Sequence, residues 1–264
     1  MVYVEEFESW EKSVPALLES AKFAEIFKTS GKERILVKPN LVSTDPPPIT
    51  TPVELVDAII DFISENLPGV QAAVGEGCGM MDYETDKVFQ TLGYTEMAAE
   101  KGVELIDLNH AELVSLSDDS CTRWPEMHLP KIIMESFLFS VPVLKAHSFS
   151  TVTLTMKNML GAAPPEYFCA GSWKKSAFHD RIEEAIFDLN KYRTPDFTLL
   201  DATEGMAQAH LWGPKCSPPP NRLAASPDPV AIDAWGAELL GFDWRKIGHI
   251  SMADKEGLSG NSMI

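Results

Sequence analysis

Four short apolar runs in this chain each end in polar residues able to do chemistry. Arg34 to Val37 runs into Lys38-Pro39-Asn40, Val70 to Val74 into Gly75-Glu76-Gly77, Phe137 to Leu144 into Lys145-Ala146-His147, and Phe197 to Leu200 into Asp201 and then Glu204. Lys157, Asn158 and His179 follow the third run. Lysines withdrawn from water favour a carboxylate or phosphate ligand, and histidines beside them move protons near neutral pH or bind a metal. His147, Lys145, Lys157 and His179 are therefore the catalytic candidates. Lys38, Asn40, Glu76, Asn158, Asp201 and Glu204 are the candidates for holding a ligand or cofactor. Two histidines with a carboxylate also make a divalent-metal site, for which His147 and His179 are the ligand candidates. Plainer readings stand beside these: Lys38 as a cap on a sheet edge, and Glu76 as a solvent-facing residue of a tight glycine turn.

The elements that must position these groups are strands alternating with helices. β-branched and aromatic residues crowd Phe137 to Leu144, as in a buried strand. Thr151 to Leu160 reads as the next helix, stopped by Gly161 and Pro164. Ser9 to Lys28 has helical spacing of apolar residues, and Thr51-Pro52-Val53-Glu54 has the form of a capping box opening a helix from Pro52 to about Asn66. Further helices are expected over Tyr83 to Leu92, Thr95 to Lys101 and Trp244 to Lys255, with a strand over Val103 to Leu108 and another over Ile132 to Met134. Asp118 to Pro130 reads as an irregular surface excursion. The segment with Tyr167, Phe168, Trp173, Lys174 and Lys175 is a loop suited to closing over a ligand. Asp228 is expected to cap the helix that begins at Pro229, and His249 to be a packing residue.

The fold class expected is α/β: a doubly wound, mostly parallel sheet with helices on both faces, built as one domain over residues 1–264 with a short C-terminal end, or as two lobes around a cleft. A parallel sheet brings strand ends to one edge, which places the four polar termini in one cleft.

Lys and Arg number 22 against 39 Asp and Glu, a net charge of −17, which excludes a duplex-binding surface; no nucleic-acid partner is expected. There is neither a signal-like N-terminus nor a run of eighteen apolar residues, so the expectation is a soluble cytoplasmic protein with no membrane partner. Cys78, Cys121, Cys169 and Cys216 are scattered without a CxxC, so neither a zinc ribbon nor a ferredoxin-type cluster is written here; reduced thiols are the favoured reading, with four distant cysteines brought together by folding as the alternative.

I-L-V-K-P-N, the T-T-P helix start, V-G-E-G, V-P-V-L-K-A-H followed by V-T-L-T-M-K-N-M-L-G, His179, L-L-D-A-T-E-G-M and D-P-V-A-I-D-A-W-G-A-E-L-L-G together resemble the domain of unknown function 362 family. Members are often joined to ferredoxin-type iron–sulfur modules. This chain has no four-cysteine module, so the resemblance implies an iron–sulfur partner protein rather than a cluster within it. His147 and Lys157 ten positions apart, with Gly161 and His179 beyond, also resemble the lactate racemase catalytic family. That resemblance implies a nickel-pincer nucleotide attached to Lys157, an acid/base role for His147 and nickel ligation by His179. The glycine-rich run before the family's lysine is T-V-T-L-T-M here, and Glu76 stands where a second catalytic histidine is expected.

The sequence thus points to an enzyme binding a small carboxylated or phosphorylated compound in a Lys/His-lined cleft, as a metal- or redox-assisted isomerase or oxidoreductase. The alternative is a non-catalytic ligand or cofactor carrier working with an iron–sulfur partner.

Overall fold

The computed structural model describes residues 1–171 and 173–258. Its strands are β1 (Tyr3–Glu6), β2 (Arg34–Pro39), β3 (Gln71–Glu76), β4 (Glu104–Asp107), β5 (Leu113–Ser117), β6 (Glu126–Pro130), β7 (Phe137–Val141), β8 (Val143–His147), β9 (Thr151–Val152), β10 (Phe197–Met206) and β11 (Arg222–Ser226). The main sheet runs β1-β11-β10-β7-β2-β3-β4, with β8 pairing beside β10 and β9 beside β8. The pairs β10/β7, β7/β2, β2/β3 and β3/β4 are parallel, whereas β1/β11 and β11/β10 are antiparallel. This is the mostly parallel α/β sheet that the alternating pattern predicts, closed at one side by an antiparallel edge.

The two faces are written in period-two alternation. Ile35 and Val37 of β2, Phe137, Phe139 and Val141 of β7, and Phe197 and Leu199 of β10 share one core. Helices Trp10–Ser20, Phe23–Thr29 and Val53–Asn66 cover it, and the Phe23 ring lies 4.9 to 6.2 Å from the rings of Phe62, Phe137, Phe139 and Phe197. Leu36, Leu138, Leu200 and Ala202 point the other way, into a core shared with helices Ile182–Tyr192, Pro229–Leu239 and Gly248–Lys255. The crossover after β2 packs on the first face and the crossover after β8 on the second. The carboxyl ends of β2 and β7 therefore flank a topological switch point, where open α/β sheets place ligands.

Several local expectations need correction. The helix expected over Ser9 to Lys28 is two, broken where Lys22 takes φ 56°. The Thr51 capping box does not form: Thr51 Oγ1 donates to Val141 O at 2.7 Å and accepts from Asn40 N at 2.8 Å, tying the β2 loop to β7. Asp118 to Pro130 is not wholly irregular, because β6 pairs with β5 as a hairpin, and Ile132 to Met134 lies in a helical turn, Lys131–Glu135. Pro142 divides the long apolar run into β7 and β8, and β10 continues well past Leu200 to Met206. Trp244 to Lys255 is a 3₁₀ turn, Trp244–Lys246, followed by a helix from Gly248. Asp228 caps its helix as expected, accepting from the Val230 and Ala231 amides.

The segment carrying Lys157 is shaped from outside itself. Thr151 and Leu154 sit at φ 63° and 45°, a region that β-branched and bulky side chains avoid, and the helix Leu154–Asn158 is only one turn long. What holds it is Asp233, whose buried carboxylate accepts from Thr155 N at 2.8 Å and Met156 N at 2.9 Å. The Thr155 hydroxyl meets Ser140 Oγ at 2.8 Å and Thr198 Oγ1 at 2.9 Å, anchoring the turn to β7 and β10. Asp233→Ala would leave two buried amides unpaired, at a cost of about 3 kcal/mol. Urea unfolding should show that loss, whereas a residual below about 0.5 kcal/mol would mean the turn supports itself.

Candidate functional site

Beneath the site lies a neutralised pair. Lys38, on the same face of β2 as Leu36, is fully buried, and its Nζ lies 2.9 Å from both oxygens of Glu76 at the end of β3. Burial pulls the Lys38 amine down from its ordinary range while Glu76 holds it up. The Glu76 carboxylate also accepts from the Leu41 and Gly77 amides, so it faces neither solvent nor open space. Two glycines make this closeness feasible. A Cβ at Gly161 would collide with Glu76 Oε1 and Lys38 Nζ, and one at Gly77 with Asn109 Oδ1 and Gly161 O. Asn158 spans the floor: its Nδ2 donates to Lys38 O, Pro39 O and Ser140 Oγ, which turns Oδ1 toward Lys38 Nζ and Asn40 Nδ2. Among the described residues Asn40 Oδ1 is then left buried without a partner, as is Thr153 Oγ1. Both residues line a cavity.

That cavity, of about 410 Å³, opens above the pair at the carboxyl ends of β2, β3 and β8. Lys145, Lys157 and Lys175 line it with His147, His179 and His210. Burial pulls the lysines down to about 7 for Lys145, about 8 for Lys157 and about 7 for Lys175, and Lys157 depresses Lys145 further. Lys145 Nζ donates to Ile49 O at 2.5 Å, and Lys175 Nζ donates to Asn109 Oδ1 and Ala163 O. Among the described residues Lys157 Nζ has no hydrogen-bond or ion-pair partner. Of the two carboxylates that line the cavity, Glu76 on the floor is already engaged by Lys38 and Asp82 is exposed, so the three lysines have no free buried carboxylate beside them among the described residues.

The imidazoles are neutral. The ring centroid of His147 lies 4.1 Å from that of His210 and 5.9 Å from that of His179. Burial, then the neighbouring Lys157, holds all three below the ordinary histidine range, His179 and His210 at about 4. His147 Nδ1 accepts from the Phe149 and Ser150 amides at 3.2 and 3.3 Å. An acceptor at Nδ1 places the hydrogen of the neutral ring on Nε2, which makes His147 a hydrogen-bond donor rather than a lone-pair ligand there. The Trp173 indole donates to His179 Nδ1 at 3.3 Å in the same sense.

The rim is apolar. Met81, Phe149 and Trp212 line the cavity while 50%, 64% and 74% exposed. Trp212 Nε1 donates to Asp45 Oδ1 at 3.0 Å, linking the two proline-rich loops across the mouth. The aromatic loop expected to close over a ligand is docked there: Lys174 N donates to Gly79 O, and Lys174 Nζ to Tyr83 O and Glu84 Oε2.

The structure brings Asn40, Glu76, Lys145, His147, Lys157, Asn158 and His179 to the cavity wall, with Lys38 just beneath. Asp201 and Glu204 are not there. Because β10 continues through them, Asp201 closes a turn on Thr203 N and Oγ1, burial raising it to about 6, and Glu204 pairs with Lys215 at the surface. Thr153, Lys175 and His210 were not among the sequence candidates; the first lay inside an expected helix and the others in loops without periodicity. His249 is fully buried, as expected of a packing residue, with Nδ1 against Glu183 Oε2 at 2.5 Å. Among the described residues the three-ligand cluster with donor atoms within 4.8 Å is Glu84, Asp107 and His110, away from the cavity, and Lys174 Nζ already sits 2.6 Å from Glu84 Oε2. A larger groove of about 1120 Å³ lies at the amino ends of β2, β3 and β4, lined by surface turns.

The fold and cavity define an α/β protein with a lysine-rich site at a sheet switch point. The chain belongs to the family described as domain of unknown function (DUF362), whose model matches residues 35–238. It is 26% identical over 239 residues to a thylakoid-associated protein of Synechocystis sp., covering 86% of this chain and 69% of that one. Its fold is similar to that of the lactate racemase apoprotein from Thermoanaerobacterium thermosaccharolyticum, with a TM-score of 0.53 at 13% identity. The match covers 90% of this chain, which spans 56% of that structure's length. No helix among the described residues is long and apolar enough to cross a membrane.

Two outcomes are expected. Glu76→Gln strands the Lys38 charge in the core and should cost about 3–5 kcal/mol in urea unfolding, far more than Glu204→Gln at the surface. Nitrogen-15 NMR should find His147 as the Nε2–H tautomer with no titration between about pH 5 and 8; an Nδ1–H ring or a midpoint near the ordinary histidine value would refute the assignment.

Proposed function

We propose that this chain binds a small carboxylated or phosphorylated compound in the cavity and acts on it as an enzyme. The observation that carries this reading is the gathering of buried lysines: Lys145, Lys157 and Lys175 line one cavity whose buried carboxylate, Glu76, is committed to Lys38, while its other carboxylate, Asp82, is exposed. A desolvated ammonium without a counter-ion is costly, and an anionic ligand supplies the missing charge. Asn40 Oδ1 and Thr153 Oγ1 add two buried polar atoms with unused hydrogen-bonding capacity, suited to a ligand with hydroxyl or amino groups besides its anion. His147, as a neutral Nε2–H donor, would polarise a ligand oxygen.

The remoter resemblance implies a nickel-pincer nucleotide. The free Lys157 amine suits its attachment, but a His147 whose Nδ1 is taken by two amides is a poor lone-pair donor at Nε2, and His179 is turned the same way by Trp173. The donor set does not fit the group as it stands, and the proposed reaction does not depend on it. A carrier that docks an iron–sulfur partner is the second reading, favoured by the exposed Met81, Phe149 and Trp212 at the mouth. The name of the Synechocystis relative would place such a role at a membrane surface.

The lysine positions give the test its sign. An ordinary lysine titrates near 10.4, so amines at about 7 to 8 are neutral across a window where the unfolded chain still carries their protons. Without ligand, their contribution to stability therefore rises with pH between about 7 and 10. A bound anion restores the ammonium form. Calorimetry with acetate, phosphate and small hydroxy acids, in buffers of different ionisation enthalpy, should show proton uptake at pH 8, little uptake near pH 5.5, and weaker binding at pH 9 than at pH 7. Lys157→Met should weaken binding by roughly tenfold or more. Binding without proton uptake, or unaffected by Lys157→Met, would place the anion elsewhere.

A further inference from the structure

We propose that Lys157 is a nucleophile that condenses with a small aldehyde or ketone carrying an acidic group, such as a 2-oxo acid, to form an imine within the cavity. The inference rests on the anion-site reading and adds a covalent step to it.

The three cavity lysines are not equivalent. Lys145 Nζ is held by Ile49 O, and Lys175 Nζ by Asn109 Oδ1 and Ala163 O, so both are oriented donors suited to an acidic group. Lys157 Nζ alone has no partner among the described residues, and its lone pair is committed to nothing once the amine is neutral. It is carried on a one-turn helix fixed by Asp233 and by the Ser140, Thr155 and Thr198 hydroxyls, which gives the amine a rigid base. Burial brings it to about 8, with Glu183 the opposing influence. At pH 8 about half of such an amine is neutral, against roughly 0.4% of an ordinary lysine, so its nucleophilic fraction is on the order of a hundredfold larger.

The chemistry balances without an external oxidant or reductant. The Lys157 nitrogen adds to the carbonyl carbon; the C–N bond forms as the C=O π bond breaks, and its electron pair goes to oxygen, which takes up one proton while nitrogen gives one up. The carbinolamine then expels its hydroxyl group as water, taking the second nitrogen proton, and C=N remains. Amine and carbonyl become imine and water with no change of oxidation state. His147 and His210, neutral and with centroids 4.1 Å apart, line the same cavity as Lys157.

The full chain would be incubated with glyoxylate or pyruvate at pH 8, reduced with sodium borohydride, and read by intact mass and peptide mapping. The expected result is one adduct per chain, on Lys157, formed at least tenfold faster than on exposed lysines such as Lys215, lost in Lys157→Arg and kept in Lys215→Arg. Lysines labelled at equal rates, or Lys157 unlabelled, would overturn the imine. Calorimetry with acetate and phosphate, which form no imine, runs in parallel: anion binding without an adduct removes only the covalent step, and no anion binding removes the reading beneath it. Mapping of the unsubstituted chain decides the matter even if Lys157→Arg folds poorly.

Discussion

Everything at the site follows from where charge can be tolerated in a dry interior. A buried ammonium needs a counter-ion, and the end of β3 supplies one, Glu76, within 2.9 Å of Lys38. That pair consumes the carboxylate at the cavity floor. The cationic groups stacked above it must lose protons or wait for an anion, and the same low polarity that drives them toward neutrality keeps the three imidazoles uncharged. The pair also explains why glycine stands at 161, where a methyl group would enter the carboxylate; at Gly77 it would instead meet Asn109 Oδ1 and the Gly161 carbonyl.

The second constraint is mechanical. A one-turn helix has little stability of its own, and two of the residues leading into it are left-handed without being glycine. Asp233, from a helix nearly eighty residues away, binds its first amides, and Asn158 closes its last turn onto the β2 carbonyls. The position of Lys157 is therefore set by the sheet and by the helix behind it rather than by its local sequence. Burial pushes the Asp233 carboxyl up to about 8 while the two amides pull it down, so its ionisation is contested between the core and the turn it caps.

Much of this was legible in the sequence because parallel strands announce themselves. Apolar runs ending in Lys-Pro-Asn, Gly-Glu-Gly and Lys-Ala-His mark carboxyl termini, and a parallel sheet must bring those together, which is how Lys38, Glu76, Lys145 and His147 come within one site. Asp201 and Glu204 misled for a definable reason: polar residues look like the end of a strand, but β10 runs on to Met206, paired with β11 as far as Ala202 and with β8 at Asp201 and Met206. Thr51 misled through its surroundings, since a hydroxyl suited to a helix cap found a stronger use bridging Asn40 and Val141. Lys175 was legible only as part of a loop suited to covering a ligand, and His210 carried no local signal. They reach the cavity from loops whose course depends on long-range bonds, such as Lys174 N to Gly79 O, that no spacing rule encodes.

A net charge of −17 around a lysine-lined cavity would give an anion of the proposed kind a two-part potential. Such an anion would meet repulsion over the outer ten or so ångströms and attraction only once inside the mouth. Added salt would erase the outer barrier while leaving the sheltered inner well nearly intact, so capture should quicken with ionic strength, the reverse of an exposed basic site. Compact solutes with a single negative charge would pass that barrier more readily than multiply charged ones, which would make the surface a filter on what reaches the lysines.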